Sequence, residues 1–367
     1  MGVRFCTRCV ISNQRPIASQ EYARVTGSSP NTMAFDDMGV CAACRVAERK
    51  LTTNWAERED SLRAILACHR RDDGRYDVLV PGSGGKDSVM AAHLLKYTYG
   101  MHPLTCTWAP HEYTAVGWRN FQRWLNSGFD NVLVTPNPKV HRTLTRLAFL
   151  NLLHPFQPFA LGQRTLAPRI AAQHGINLIF FGEDDEEYEG VTGWQTKRET
   201  LSFDMRISGL TMDELAREGI SQVDLRPYLP PIEGTIAASI PAYALGSFVK
   251  WVPQDAYYFA VDAAGFEANE ARTEGTYSKY NSIDDRLDPL HYYTTWVKFG
   301  LGRASYDAAQ EIRNGHLTRE EGGALVRKYD GELQPETVTW ACHYMEITKA
   351  TFQHAIESFR HVYPIVE

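Results

Sequence analysis

The sequence predicts an α/β fold in which a parallel sheet follows a small cysteine-containing module and precedes a mainly helical region. Three observations support this fold class. Short apolar runs alternate with helical stretches between about residues 76 and 181, as in parallel sheets whose strands are joined by helices. A glycine-rich turn, residues 82–85, directly follows the first apolar run. Beyond about Gly190 the strand signal fades, and the remaining chain to residue 367 has helical periodicity.

The predicted elements follow one another with short connections. Strands are predicted over residues 76–80, 103–108, 131–135 and 177–181, and helices over 54–70, 86–99, 113–126, 139–153 and 161–174. Farther on, Thr318 and Glu321 have capping-box spacing at the start of a helix that ends at residues 330–331. A last helix pair covers about residues 336–359. We therefore expect a cysteine module at residues 1–50, a sheet domain at 51–190 and a helical substrate or partner region at 191–367.

The composition is that of an ordinary globular protein, with 44% hydrophobic and 22% charged residues. No apolar run reaches the roughly 18 residues needed to span a bilayer. Arg4 and Arg8 are not followed by an apolar signal core, so we expect a cytoplasmic protein with no membrane partner. The formal net charge of −6 argues against a nucleic acid as the main partner.

Four of the seven cysteines form two pairs, Cys6-x-x-Cys9 and Cys41-x-x-Cys44. Each turn can place two thiolates on one face of a tetrahedron, so the two pairs predict a closed structural Zn²⁺ site. The spacer of 31 residues is longer than in compact zinc ribbons, which implies an extra loop between the halves. Redox chemistry is the alternative. The other cysteines are expected to be buried free thiols: Cys68, Cys106 and Cys342.

The loop after the first predicted strand is suited to binding phosphate. Glycines let the backbone turn tightly with its N–H groups facing inward, and the start of a helix adds a positive dipole. A Walker A loop requires Ser or Thr after Gly-Lys, but Asp87 follows Lys86 here. A dinucleotide fingerprint requires a third Gly or Ala where Asp87 stands. A tight turn without a ligand is the alternative.

The sequence of this loop, Ser-Gly-Gly-Lys-Asp-Ser, resembles the PP-loop of the ATP pyrophosphatases. These enzymes split ATP between its α and β phosphates and leave AMP on a substrate oxygen. The resemblance implies that loop amides and serine hydroxyls hold the pyrophosphate, that Lys86 neutralises it and that Asp87 faces Mg²⁺. Lys86 and Asp87 are thus the predicted catalytic residues. The predicted nucleotide-binding residues of the loop are Ser83, Gly84, Gly85, Lys86, Asp87 and Ser88.

Ligands of parallel sheets bind beyond the carboxyl ends of the strands, so the other strand ends also carry candidates. Thr107 and Trp108 end the second strand, whose backbone is expected to pass under the adenine; Trp108 as plain core is the alternative. Gly182 ends the fourth strand and is followed by six carboxylates in seven residues. Glu183 and Asp184 are the candidates for Mg²⁺, because hard cations take oxygen ligands. A solvated acidic loop is the alternative for this run.

Cations beside aromatic residues and glycines provide the candidate substrate contacts. Gln163 and Arg164 are expected at a helix start, where an Arg fork suits a carboxylate or phosphate; a surface Arg is the alternative. Residues 275–280 and 298–303 mix glycines, aromatics and cations, which suits a sugar nucleotide. Structural turns are the alternative for both stretches. Their candidate residues are Lys279, Tyr280, Lys298 and Arg303.

Taken together, the chain resembles the N-acetyl sugar amidotransferases, the PP-loop enzymes of amidino-sugar synthesis. The likeness covers the Cys-x-x-Cys start and residues 81–88, 151–163, 182–183 and 298–303. It implies that ATP activates an acetamido oxygen of a nucleotide-linked sugar as an imidoyl adenylate. Ammonia then displaces AMP and leaves an acetamidino group. The family belongs to bacterial surface-glycan pathways, such as those of lipopolysaccharide O-antigen.

The chain lacks the signatures of a glutaminase, so we expect a separate glutaminase subunit to supply ammonia. An N-terminal nucleophile needs Cys at position 2, where this chain has Gly2. A triad-type nucleophile needs a glycine-flanked Cys, which the three isolated cysteines do not offer.

Two other functions compete. A PP-loop tRNA sulfurtransferase commonly needs a catalytic cysteine pair or an iron–sulfur cluster near the loop, and Cys106 alone lies near a suitable strand end. A non-catalytic zinc-ribbon module with a decayed nucleotide domain is opposed by the intact loop.

Overall fold

Five parallel strands form one sheet in the order β3-β2-β1-β4-β5. The computed structural model describes residues 3–16, 32–182, 206–231 and 235–360. The strands are β1 Val78–Pro81, β2 Pro103–Trp108, β3 Asn131–Val134, β4 Ile179–Phe181 and β5 Ala242–Ala244. The predicted α/β class is therefore confirmed, and the strand predicted over residues 103–108 matches β2 in both of its ends.

Helices cover the sheet and form the C-terminal region. Among the described residues, those before β5 are α1 Ala42–Thr52, α2 Trp55–His69, α3 Lys86–His93, α4 Ala115–Asn126, α5 Pro138–Leu152, α6 Gln157–Gln173, α7 Met212–Arg217, α8 Gln222–Leu225 and α9 Ile236–Ser239. After β5 follow α10 Pro253–Ala264, α11 Asp288–Phe299, α12 Arg303–Arg313, α13 Arg319–Tyr329, α14 Pro335–Met345 and α15 Lys349–Arg360. A π-helical turn, Leu94–Thr98, extends α3. The predicted capping box at Thr318 opens α13.

The sheet has a hydrophobic core on each face, which explains why its strands are nearly continuous apolar runs. Along β1, Leu79 belongs to one core, which α5 and α6 complete. Its neighbours Val78 and Val80 point into the other core, which contains side chains of α2, α3 and α10. Alternate residues of a strand point to opposite faces, so a strand covered on both faces has no polar side.

The fifth strand comes from the chain beyond residue 190, where the sequence predicts a mainly helical region and no particular strand. Ala242–Ala244 pairs in parallel with β4, with Phe180 opposite Tyr243. The predicted division at residue 190 therefore runs through the sheet. A run of three residues is too short to show the alternation from which a strand can be predicted.

A third core joins the two ends of the chain. It contains all four paired cysteines together with Leu301, Ala308 and Ala309 of the C-terminal region. The cysteine module thus packs against the C-terminal helices rather than standing apart. In the described parts of the chain, no helix is both long and apolar enough to cross a membrane.

The close packing of α6 on β2 generates a stability prediction. A Cβ atom on Gly162 would lie 2.2 Å from Cε2 of the buried Trp108 ring. We expect Gly162→Ala to lower the free energy of unfolding by about 1–3 kcal/mol, because the indole must shift within a filled core. Urea denaturation measures this change.

A second helical glycine provides the matched control. A Cβ atom on Gly323 in α13 would meet nothing closer than the mobile end of Arg327, at 3.5 Å. Gly323→Ala should leave stability unchanged or raise it by up to about 1 kcal/mol. Equal effects of the two substitutions would contradict the close contact at Gly162.

Candidate functional site

The glycine loop lies where the strand order of the sheet reverses. It joins β1 to α3, and β1 pairs with β2 on one side and with β4 on the other. Gly84 has φ +86°, and a Cβ atom there would lie 2.7 Å from the Phe121 backbone, so only glycine fits. No described side chain caps the start of α3. Its first amides are therefore open to an anion at the usual ligand position of such sheets.

Two predicted catalytic residues, Lys86 and Asp87, form an ion pair at the first turn of α3. Lys86 Nζ lies 2.5 Å from Asp87 Oδ2, and the Trp251 indole N–H donates to Oδ1 at 3.2 Å. The Asp87 side chain is 24% exposed, so its carboxylate can still reach a ligand. Mg²⁺ usually shares such a carboxylate with substrate phosphates, so the residue fits the predicted role. Ser88 Oγ donates to the Gly85 carbonyl at 3.0 Å.

Gly182 and Thr107 hold the loop from the neighbouring strands. A Cβ atom on Gly182 would lie 2.4 Å from the Asp87 carbonyl oxygen, so glycine lets the end of β4 pack on α3. Thr107 Oγ1 donates to the Gly82 carbonyl at 2.7 Å. Both residues were predicted to bind nucleotide, and both adjoin the loop. Glu183 and Asp184, the other candidates for Mg²⁺, lie outside the described residues.

The Trp108 side chain is part of the core. It is 4% exposed and packs edge-on against His141 and Tyr228, at ring-centroid distances of 6.2 and 5.5 Å. The position of this ring fits the alternative of a core residue. A contact between the β2 backbone and adenine remains a prediction.

An acidic segment of the C-terminal region reaches the loop, which the sequence analysis missed. Asp284 lies close to the Ser83 side chain, and its backbone carbonyl accepts from the Thr114 amide at 3.1 Å. Asp285 Oδ2 accepts from the His111 amide at 2.8 Å and lies 2.7 Å from His111 Nδ1. These contacts join residues 284–285 to the end of β2 and the start of α4.

Burial dominates the electrostatics of this segment. It raises the pKa of Asp284, and Asp285 raises that pKa further, while the Ser83 side chain lowers it. Burial likewise raises the pKa of Asp288 well above its usual range, with Arg303 opposing the shift. The sequence pattern that could have revealed this segment is Asp284-Asp285-x-x-Asp288. Without the structure, however, this pattern cannot be told from that of an exposed charged turn.

Two of the predicted substrate residues lie close to this acidic segment. Arg303 is largely buried, pairs with Asp307 at 3.1 Å and donates to Ser282 Oγ at 2.8 Å. Tyr280 stacks on Tyr257 with ring centroids 4.4 Å apart. Burial raises the pKa of Tyr280, and nearby carboxylates, Asp87 among them, add to the shift. Tyr280 is therefore within electrostatic range of the loop.

Arg164 and Lys298 meet at a buried histidine. Burial lowers the pKa of His154, and Lys298, His291 and Arg164 lower it further. Lys298 is 3% exposed, and its Nζ donates to the Leu152 carbonyl at 3.3 Å. The structure thus brings together two predicted cations that are far apart in the sequence.

The other two substrate candidates are more exposed. Gln163 lies on the surface, and Lys279 Nζ donates to the Glu270 carbonyl at 2.8 Å. The expectation that Gln163 and Arg164 begin a helix is wrong, because α6 begins at Gln157. Pro158 occupies its first turn, where proline fits without loss of a hydrogen bond, so the Pro-Phe-Gln-Pro stretch opens the helix instead of preceding it.

The four paired cysteines form a single cluster with the dimensions of a metal site. Their Sγ atoms all lie within 4.8 Å of one another, and Cys6–Cys44 and Cys9–Cys41 are 3.8 and 3.7 Å apart. A tetrahedral ion with bonds of about 2.3 Å to sulfur has edges of about 3.8 Å. All four residues are buried. The set therefore fits one metal ion better than two independent redox pairs.

Arg319 of α13 ties this cluster to the C-terminal region. Its Nε donates to the carbonyls of Cys6 and Cys9 at 3.3 and 3.2 Å. Of the isolated cysteines, Cys106 and Cys342 are buried as expected, whereas the same expectation is wrong for Cys68, which is exposed. Cys68 lies near the end of α2, where the helix turns it away from Leu62 and Leu66, the buried residues of that helix.

Comparison with known proteins shows that part of the C-terminal region is similar to a known domain family. Residues 274–364 match the family described as the C-terminal domain of WbpG-like LPS biosynthesis proteins. The match covers residues 274–364, about a quarter of the chain, and does not include the glycine loop. The matched residues include Asp284 and Asp285, which contact the start of α4 and the end of β2.

Two individual proteins show weaker similarity. An uncharacterised protein, MJ1599 of Methanocaldococcus jannaschii, is 28% identical over 90 residues, or 24% of this chain. The chain thus spans 32% of that relative's length. The solved U34-tRNA thiolase NcsA from Methanococcus maripaludis, with its [4Fe-4S] cluster, is 13% identical. It aligns over 94% of this chain and 97% of its own, but the TM-score of 0.26 is too low to establish a common arrangement.

The cysteine cluster generates a prediction about metal content. Cys41→Ser should abolish tight binding of one metal ion and lower the free energy of unfolding by on the order of 3 kcal/mol, since metal binding and folding are coupled. Elemental analysis and thermal denaturation measure both effects. Cys68→Ser is the matched control, because Cys68 is exposed and outside the cluster. A Cys41→Ser protein that keeps its metal and its stability would contradict the assignment.

Proposed function

We propose that this chain is an AMP-forming N-acetyl sugar amidotransferase that converts an acetamido group of a nucleotide-linked sugar to acetamidino. The observation that carries the proposal is the position of Asp284 and Asp285, which contact the start of α4 and the end of β2 beside the glycine loop. Asp284 belongs to the region that matches WbpG-like LPS biosynthesis proteins. A loop built for phosphate and a domain of a surface-glycan family therefore meet at one site.

In this mechanism the acetamido oxygen attacks the α-phosphate of ATP and pyrophosphate leaves. The open amides of α3 and the Lys86 ammonium stabilise the charge that develops on the departing pyrophosphate. Asp87, with Glu183 and Asp184 as further candidates, would hold Mg²⁺, which neutralises phosphate charge when bound. Ammonia then attacks the activated carbon, the C–O bond breaks, and AMP leaves with the former amide oxygen. One proton of the attacking ammonia passes to solvent.

The sugar nucleotide is proposed to bind between the loop and the C-terminal helices. Arg303 and Tyr280 lie on the side nearest the acidic segment, and Arg164 and Lys298 meet at His154. Cations in these positions suit the negative charge of a diphosphate or a uronate. The reacting acetamido group would then lie at the loop, as its oxygen must reach the α-phosphate.

Three further assignments belong to this proposal. The four-cysteine cluster holds a structural Zn²⁺, because four thiolates leave the ion no open position for chemistry. Ammonia comes from a separate glutaminase subunit. The enzyme works in the cytoplasm, where sugar nucleotides and ATP are available.

A tRNA sulfurtransferase is less well supported by the residues near the loop. The route through a catalytic cysteine needs a reactive thiolate, and Cys106 is the cysteine on the adjacent strand β2. Burial raises the pKa of Cys106 to about 12, so the thiol is neutral at physiological pH.

The proposal is tested with a panel of UDP- and CMP-linked diacetamido sugars, ATP, Mg²⁺ and an ammonium salt. One of these sugars should give equal amounts of AMP, pyrophosphate and a product in which NH replaces the acetamido oxygen. Glutamine in place of ammonium should give no product with the isolated chain. Adenylate transfer to tRNA, or no turnover with any sugar of the panel, would contradict the proposal.

Asp87→Ala should lower the turnover by at least about 100-fold while the fold is retained, because it removes charge stabilisation at the phosphates. Circular dichroism monitors the fold and pyrophosphate release monitors the turnover. Asp213→Asn, at an exposed position on α7, is the matched control and should keep full activity. An active Asp87→Ala enzyme would show that the metal lies elsewhere.

A further inference from the structure

Trp251, a buried residue far from the loop in the sequence, holds one oxygen of the Asp87 carboxylate. Its indole N–H donates to Oδ1 at 3.2 Å, while Lys86 Nζ lies 2.5 Å from Oδ2. Two donors on two different oxygens fix the orientation of a carboxylate group. Hydrogen bonds to an ionised acceptor are also the stronger kind, so each contact restrains the side chain effectively.

The indole is itself held firmly. Trp251 is 3% exposed and belongs to the hydrophobic core that contains Val89 of α3 and Phe248. Its backbone carbonyl accepts a hydrogen bond from Lys50 Nζ at 3.4 Å. Only Val252 separates it from α10, which packs against α3. A ring fixed on several sides has little freedom to follow a moving carboxylate, so it sets the position of Asp87.

The two donors differ in what happens when ATP binds. Lys86 carries a flexible ammonium, which the proposed function assigns to the pyrophosphate. Once Lys86 turns to the phosphates, Trp251 is the described side chain that still holds Asp87. The restraint would then come from a rigid ring that does not change partners.

We propose that Trp251 is a positioning residue that orients the Asp87 carboxylate toward the cation of Mg²⁺-ATP. The proposal rests on the proposed function, because it requires ATP and Mg²⁺ at this loop. The indole does not touch the reacting atoms. It acts by keeping Asp87 in the orientation in which it can bind the cation.

The test measures binding rather than turnover. A non-hydrolysable ATP analogue is titrated by calorimetry at a series of Mg²⁺ concentrations and again in excess chelator. Trp251→Phe removes the N–H and keeps an aromatic ring in the core. We expect the Mg²⁺ concentration for half-maximal analogue binding to rise about tenfold, the effect of losing a hydrogen bond to a charged group. Binding in chelator should stay within about twofold of the wild type.

Trp124→Phe is the matched control. Trp124 is fully buried in the same core, and its indole N–H has no partner among the described residues. Trp124→Phe should lose a similar amount of core packing, but it should leave the Mg²⁺ dependence of analogue binding unchanged. If Trp251→Phe folds poorly, a benzothiophene analogue of Trp251 removes the N–H at nearly constant shape. That variant should show the same shift.

The outcomes separate this inference from the function on which it rests. A wild-type chain that binds no analogue at any Mg²⁺ concentration would contradict the proposed function itself. A wild-type chain that binds Mg²⁺-dependently, with Trp251→Phe or the benzothiophene variant unchanged, would contradict the positioning role alone. An equal shift in Trp124→Phe would also contradict it, because the effect would then come from packing.

Discussion

The position of Asp87 depends on three parts of the chain, and the rest of the site is arranged around it. Lys86 pairs with its carboxylate from the adjoining position, and Trp251, which follows β5 in the chain, donates to it from the core shared with α3 and α10. Gly182, at the end of β4, lies against its backbone carbonyl. Without these contacts, an aspartate side chain at the first turn of a helix would populate several rotamers. Here the sheet order β1-β4-β5 brings all the restraining residues to one edge.

A second set of contacts makes the C-terminal region part of the same site. The hydrogen bond from the Thr114 amide to Asp284 and the pair formed by His111 and Asp285 connect it to the start of α4 and the end of β2. On its other side, this region carries Arg319, which donates to the cysteine module. The four-cysteine cluster is therefore connected, through the C-terminal region, to the surface that meets the loop.

Local patterns predicted much of the fold, because they are set by neighbouring residues. The strand at residues 103–108, the capping box at Thr318 and the grouping of four cysteines all depend on short spacings, and all are confirmed. The contributions of Asp284 and Trp251 to the site were not predictable in this way. Along the chain, Asp284 is 201 residues from Ser83 and Trp251 is 164 residues from Asp87, and no local pattern marks either residue. β5 was missed because three residues are too few to show a period.

The errors have similar causes. Gln163 and Arg164 were expected at the start of a helix over residues 161–174, but the helix begins at Gln157, because proline is favourable in the first turn. Cys68 was expected to be buried from the general preference of cysteine, while its position on α2 turns it outward. The meeting of Arg164 and Lys298 at His154 needed tertiary structure, although each was chosen from its own segment.

The central claim is that the acetamido oxygen itself attacks the α-phosphate of ATP. The most direct test uses a diacetamido sugar nucleotide labelled with oxygen-18 in its acetamido groups and follows the label by mass spectrometry. The account predicts that AMP carries the heavy oxygen in a single turnover, since the oxygen leaves with the adenylate. Unlabelled AMP, formed while the sugar gains its nitrogen, would show that the amide is activated by another route.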